Sequence, residues 1–459
     1  MEVASRELDS RLLLAVSALR RGFDVVMGQK WLIERNIEAM PPGVYFSKTL
    51  TKRDGKALAR ARRAGYLVAA IDEEMPGILA TGSDMRWISS DAVDCCDMIF
   101  IAGTGNTSAF GERFGADGKV ITVGNPRWDL LKPALRRLYD ADVERIRKEF
   151  GQFVLLNTNL GLTNTEKGTP DQIIQDLIRL GKLDPNNPGD MAYYADIRRM
   201  EDANRAVMID LIRKIPAAFP NLNVVLRPHP SERLLPWEEA AAGIDRVKVV
   251  RSGPAVPWIM ACVGLIHTNC TTGVEAYALD RPSICVLPTD LPVNARYLSN
   301  KINPTVRNAD QAIALLQRIL TGETASPYDT AMRATFADAM SHDPQALASE
   351  AIVDHLYQAA MERRTVRGNQ GWKPGWKYKW HVSQKNVRAV LMPELKADAV
   401  LSRLNLVGNL LGYDHPATVQ QCGAKLVWIT SRKVPLTFYG WRTLAELRSK
   451  LSPKQLLAS

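Results

Sequence analysis

Through the first 330 residues, short β-branched runs alternate with stretches whose apolar residues recur at helical spacing. This rhythm constrains the fold most, because strand–helix–strand repeats close as a parallel sheet covered on both faces. Candidate strands are 23–27 (FDVVM), 42–46 (PGVYF), 66–71 (YLVAAI), 98–102 (MIFIA) and 119–123 (KVITV), with helical spacing at 8–20 and 53–64. A charged helix at 141–149 precedes a second series: 153–158 (FVLLNT), 223–227 (NVVLR), 247–250 (VKVV), 263–266 (VGLI) and 283–287 (SICVL). Two doubly wound α/β domains are expected, meeting near residues 145–150. Residues 159–190 read as a long loop or flap, 191–216 as one long helix, and 309–321 and 345–364 as helices closing the second domain. Few residues precede helix 8–20, so a first strand is very short or missing from this chain.

A chain of 459 residues exceeds one ordinary domain. No apolar run is long enough to span a bilayer, and the first residues lack the pattern of a secretion signal, so a cytoplasmic protein is expected. Six cysteines without a Cys-x-x-Cys pair read as reduced residues, most of them in the core. The net charge of +10 is uneven: residues 363–459 hold 17 Lys and Arg against 4 Asp and Glu, leaving the rest slightly acidic. Within that tail, GWKPGWKYKWH (371–381) interleaves three Trp and a Tyr with three Lys. Such a stretch suits an anionic membrane surface, a basic extension packed on the body, or single-stranded nucleic acid.

Open α/β sheets bind ligands beyond the carboxyl ends of their strands. Three polar motifs fall there. Asp72, Glu73 and Glu74 follow strand 66–71; a solvated loop is the bland reading of three adjacent carboxylates. Arg227 and His229 of RPHP (227–230) follow strand 223–227, between prolines that delay the next helix. HTNCTTGVEA (267–276) follows strand 263–266 and opens a helix, offering Thr271, Thr272 and free backbone N–H groups to a phosphate. The bland alternative there is a Thr N-cap with Glu275 completing a capping box. His267 and Arg227–His229, taken as ends of adjacent strands, favour a shared anion site. Asp140-Ala-Asp142 spells a metal-binding D-x-D but opens a predicted helix, where acids suit the dipole, so no obligatory metal or cofactor is expected.

These motifs, with REL-D-RLLLA (6–15) and GNPRWD (124–129), resemble bacterial surface-carbohydrate-biosynthesis proteins related to retaining β-Kdo transferases. The resemblance covers roughly residues 1–360 and implies a GT-B fold, two Rossmann-like domains facing a cleft: an acceptor and carboxylate domain (1–147), a CMP-binding domain (148–365) and a basic, aromatic-rich extension (366–459). It implies transfer of a sugar acid, Kdo first, from a CMP donor to a lipid-linked or oligosaccharide acceptor of lipopolysaccharide, O-antigen or capsule. An acidic nucleophile is implied, with Asp72 preferred and Glu73 and Glu74 competing, while Glu2 or Glu7 orients or protonates the acceptor. Asn157, Thr158, Arg227, His229, His267, Thr268, Thr271, Thr272 and Glu275 would face the donor. Lys48, Arg11 and Arg127 compete for its carboxylate. Lipid-linked acceptors favour peripheral contact of 366–459 with the inner membrane over nucleic acid. A CDP-polyol phosphotransferase, a nucleotide-sugar epimerase and a non-enzymatic binding module remain as alternatives.

Overall fold

The five residues of β3 (Leu67–Ile71) are all buried, as a strand covered on both faces requires. In a computed structural model it is central to a parallel sheet ordered β2 (Val44–Ser47), β3, β4 (Met98–Ile101), β5 (Val120–Thr122). The structure describes residues 1–459 except 2–3, 41, 74, 78–84, 86, 117, 181–182, 324–327, 341–344, 368–393, 414–415 and 432–459. A second, six-stranded parallel sheet runs β11 (Thr305–Val306), β10 (Ser283–Val286), β9 (Gly264–His267), β6 (Phe153–Asn157), β7 (Asn223–Arg227), β8 (Val247–Val249). The fold is thus two Rossmann-like α/β units in succession, the GT-B arrangement expected from the sequence.

In the second sheet, strands add outward from β6 in one direction and from β9 in the other. The reversal opens a crevice between their carboxyl ends, where Asn157 stands opposite His267 in register. Because β6 lies between β7 and β9, RPHP and HTNC do not end adjacent strands, contrary to expectation.

Three further expectations are corrected. The FDVVM run forms β1 (Val25–Gly28), but outside the first sheet: it pairs antiparallel with β13 (Leu426–Thr430), itself hairpinned to β12 (Thr418–Gly423). Composition makes a strand without naming its partner. The presumed flap at 159–190 contains a helix, Pro170–Arg179, begun by a Thr169–Gln172 capping box. The 345–364 helix, Ala348–Arg367, closes the first domain rather than the second. Ile352, Val353 and Leu356 are buried with Leu14, Leu67, Ala69, Ile71 and Phe100, and the Asp129 carboxylate accepts the Ala348 and Ser349 N–H groups at 3.0 and 2.9 Å.

The long helix spans Pro188–Ala218. Part of the expected extension packs on the body: helix Ala397–Leu410 buries Val400, Leu404 and Val407 in one core with Leu12, Leu13 and Val16. The Trp- and Lys-rich stretch 371–381 lies outside the described residues. Among the described residues no helix is long and apolar enough to cross a membrane.

Candidate active site

Helix α1 (Ala4–Arg20) carries Glu7 and Arg11, four residues apart and hence on one face. That face meets the ends of β2 and β3. Lys48 Nζ lies 2.8 Å from Glu7, and Arg11 Nη2 lies 2.7 Å from Glu73 Oε1, with all four side chains largely buried. The Glu73 backbone N–H donates to the Lys48 carbonyl at 3.1 Å, tying the two strand ends together. Burial alone would raise the Glu7 pKa, but Lys48, the amine of Met1 and Arg11 together outweigh it and hold the carboxyl at about 2. Glu73 Oε2 and Arg11 Nη1 are buried without a hydrogen-bond partner among the described residues. The cluster is therefore charge-balanced, but its hydrogen bonding is incomplete.

This geometry separates the carboxylates that sequence left together. Asp72 accepts from the Met75 N–H at 3.1 Å and from Trp87 Nε1–H at 3.0 Å. Asp72 thus shapes the Met75–Gly77 turn, whereas Glu73 pairs with Arg11 and keeps its second oxygen without a partner among the described residues. Glu7 remains a carboxylate far below neutral pH and cannot protonate an acceptor, though it can orient one. Glu2 and Glu74 lie outside the described residues.

In the second domain the organising residue is Glu232, which sequence reasoning missed. It is fully buried, and its Oε1 accepts from Thr158 Oγ1–H (2.8 Å), the Leu160 N–H (3.0 Å) and the His229 N–H (3.1 Å). Oε2 accepts from Asn164 Nδ2–H (3.2 Å) and Trp237 Nε1–H (3.0 Å). One carboxylate thus fixes the loops leaving β6 and β7. The available signal was its place three residues after His229 at a strand end, the reach of a side chain folding back onto backbone N–H.

His229 is half-buried on that loop. The Ser231 N–H donates to His229 Nδ1 at 3.3 Å, and Ser231 Oγ stands 2.8 Å from the same nitrogen. Since a backbone N–H only donates, Nδ1 accepts and the neutral ring is assigned its proton on Nε2. Arg227 faces elsewhere. It donates to the Pro254 and Gly253 carbonyls at 3.0 and 2.9 Å and lies over the Trp258 ring. Burial lowers its pKa to about 9, and its two hydrogen bonds brace the loop after β8.

His267 is fully buried, both ring nitrogens lack partners among the described residues, and burial pushes its pKa down to about 3. It supports Gly273, where a Cβ would come 2.2 Å from Nε2. Asn157 and Thr268 are buried beside the crevice, with Asn157 Oδ1 and Thr268 Oγ1 lacking partners among the described residues. Asn269 turns the chain with a φ of 47°, held by an Asn300 Nδ2–H bond to its Oδ1 at 2.6 Å. Thr271 precedes helix Thr272–Ala278 without a side-chain capping bond, while Thr272 Oγ1 donates to Cys270 Sγ.

Glu275 does not complete a capping box either. It crosses the domain boundary to Arg127 Nη2 at 2.7 Å, leaving Oε2 buried without a partner among the described residues. Arg127 is thereby engaged away from the first-domain cluster. Close by, Gly77 admits Thr271: a Cβ at Gly77 would stand 2.5 Å from Thr271 Cγ2. The turn after β3 therefore touches the loop after β9, so the carboxyl ends of the two sheets meet. Among the described residues no group of three His, Cys, Asp or Glu could hold a metal ion, and Asp142 of the D-x-D pairs with Arg145 on one helix.

No family model and no curated protein matches the chain. Among solved structures, the wall teichoic acid polymerase TagF is 13% identical, with a TM-score of 0.41, over 65% of this chain and 69% of that one. The UDP-GlcNAc 2-epimerase of Methanocaldococcus jannaschii is 12% identical, with a TM-score of 0.44, over 71% and 78%. Anabaena Alr3699/HepE in complex with UDP is 14% identical, with a TM-score of 0.35, over 73% and 81%.

Proposed function

We propose that the chain is a glycosyltransferase that moves a sugar from a nucleotide-activated donor to a glycan hydroxyl. The observation that carries this reading is the contact of Gly77 with Thr271, which sets the strand end bearing Glu73 against the crevice loops of the second sheet. A donor phosphate fits the side of His229, Thr271 and Thr272, where an imidazole N–H and hydroxyls can stabilise the departing monoester. The sugar then faces Glu73, whose second oxygen lacks a partner among the described residues.

The finer reading follows the sequence motifs: a CMP-linked sugar acid, Kdo first, transferred with retention to a surface glycan. Glu73 attacks the anomeric carbon, the bond from that carbon to the phosphate oxygen breaks, and CMP leaves. The acceptor oxygen then displaces Glu73, which departs as the free carboxylate, and the acceptor's proton passes to solvent. Peripheral contact of 366–459 with an anionic cytoplasmic leaflet belongs to the same proposal and is tested by sedimentation with anionic vesicles.

One observation favours a second reading. The Arg11 ion pair reduces the nucleophilicity of Glu73, which suits a CDP-polyol phosphotransferase needing no covalent carboxylate. Incubation with CMP-Kdo generated in place, followed by intact mass and peptide mapping, separates the two. An adduct on a peptide containing Glu73 supports the first. Turnover of CDP-glycerol with CMP release and no adduct supports the second, and inertness toward both donors overturns the enzyme reading.

A further inference from the structure

Helix α1 holds two site residues but follows no strand of the first parallel sheet, so its position depends on what packs behind it. Asp9 lies two residues from both Glu7 and Arg11, about 200° around the helix and therefore on its far side. There the C-terminal segment grips it. Arg403 Nε and Nη2 donate to Asp9 Oδ1 and Oδ2, each at 2.9 Å, a two-pronged geometry that fixes orientation as well as distance. Its Nη1 donates to the Leu138 carbonyl at 3.2 Å, and the guanidinium lies 5.5 Å from the centre of the Tyr139 ring.

The support for Arg403 is equally specific. Its helix buries Val400, Leu404 and Val407 against the core that contains Leu12 and Val16. The following hairpin is anchored by β13 on β1, and Gln421 Nε2 donates back to the Leu395 carbonyl at 2.7 Å just before that helix. Helix α1 is thus clamped from behind by Asp9–Arg403, while in front it makes the Glu7–Lys48 and Arg11–Glu73 pairs. A small rotation of α1 would lengthen both front pairs together.

We infer that Arg403 is a positioning residue, acting through Asp9 and α1 to hold Glu7 and Arg11 in register with Lys48 and Glu73. The catalytic part of this inference rests on the proposed transferase reading; the structural part does not. Residues 394–413 and 416–431 accordingly belong to the first domain's working structure, although nearly 400 residues separate Arg403 from Asp9.

The test uses the full chain with Arg403→Met, Arg403→Lys and the exchange Asp9→Arg with Arg403→Asp. The side-chain Nε NMR signal of Arg11, assigned with Arg11→Lys, should move in Arg403→Met and return toward its original position in the exchange. It should stay still in the exposed control Arg145→Met. With the donor that is turned over, Arg403→Met should lower kcat ten- to hundredfold while KM and CMP affinity stay within about twofold, and Arg403→Lys should recover part of the loss. An unmoved Arg11 signal in a folded Arg403→Met protein overturns the inference, as does wild-type kcat with only a lower Tm. If the wild type turns over no nucleotide-linked donor, the transferase reading fails while the NMR comparison still decides the positioning role.

Discussion

The two strand-end regions that meet at Gly77 and Thr271 stabilise their buried carboxylates differently. In the first domain, Glu7 and Glu73 are each matched to a cation, and the Arg11–Glu73 pair keeps an open hydrogen-bonding position on both partners. In the second, Glu232 receives five neutral donors and is fully occupied. The difference is one of hydrogen-bonding capacity: Glu73 keeps one buried oxygen open, whereas the two oxygens of Glu232 share five hydrogen bonds that hold the scaffold. His267 is a third case, a buried titratable group without a compensating partner among the described residues.

The largest expected effect breaks the first region alone. Glu73→Gln still accepts a hydrogen bond from Arg11 but leaves its buried guanidinium uncompensated, so unfolding should become easier by about 3 kcal/mol, while donor turnover of the folded protein falls roughly thousandfold, about 4 kcal/mol of barrier. Asp72→Asn should keep turnover within about threefold. Steady-state rates on both variants check this, and the reverse ranking would return the role to Asp72.

Next, Glu232→Leu strands five donors in the interior and should cost about 3 kcal/mol or more in urea unfolding. A loss below about 1 kcal/mol would show that the two strand-end loops do not need a shared carboxylate.

The isolated histidine sharpens the comparison through pH. His267 has a pKa of about 3 when folded against an ordinary 6.5, so the unfolded chain binds the extra proton between those values. Its contribution is complete above pH 6.5 and is lost as pH falls toward 3, at up to about 1.4 kcal/mol per unit. His267→Leu should flatten the stability profile between pH 6.5 and 4.5, as measured by urea midpoints at several pH values. An unchanged slope would assign the acid sensitivity to other groups.

The smallest effect concerns the contact between the regions. Gly77→Ala places a methyl against Thr271 Cγ2 and should raise the donor KM severalfold. Thr271→Ser removes that methyl and should restore it in the double variant. Failure of this rescue would mean that the approach of the two loops does not govern donor binding.

Much of the fold was legible because β-α rhythm is local: the strands around 67–71, 98–101 and 223–227 announce themselves by composition and spacing. The site was legible only as neighbourhoods. Sequence placed polar groups at strand ends but could not separate Asp72 from Glu73, since the difference is whether the Met75 N–H and Trp87 or Arg11 receives the carboxylate. Nor could sequence show that His267 is buried beneath Gly273.

Sequence alone therefore determined two successive parallel α/β units and the strand ends from which the site is built. Hydrophobic periodicity and turn chemistry act over a few residues and are written directly in the chain. Only the tertiary structure decided that β1 pairs with β13, that Arg127 crosses to Glu275, and that Arg403 grips Asp9 behind the site. Those partners are about 150 to 400 residues apart, and no local preference selects among the many arginines and acids able to pair. Packing selects them, by allowing only certain charged groups to meet once the apolar faces are buried.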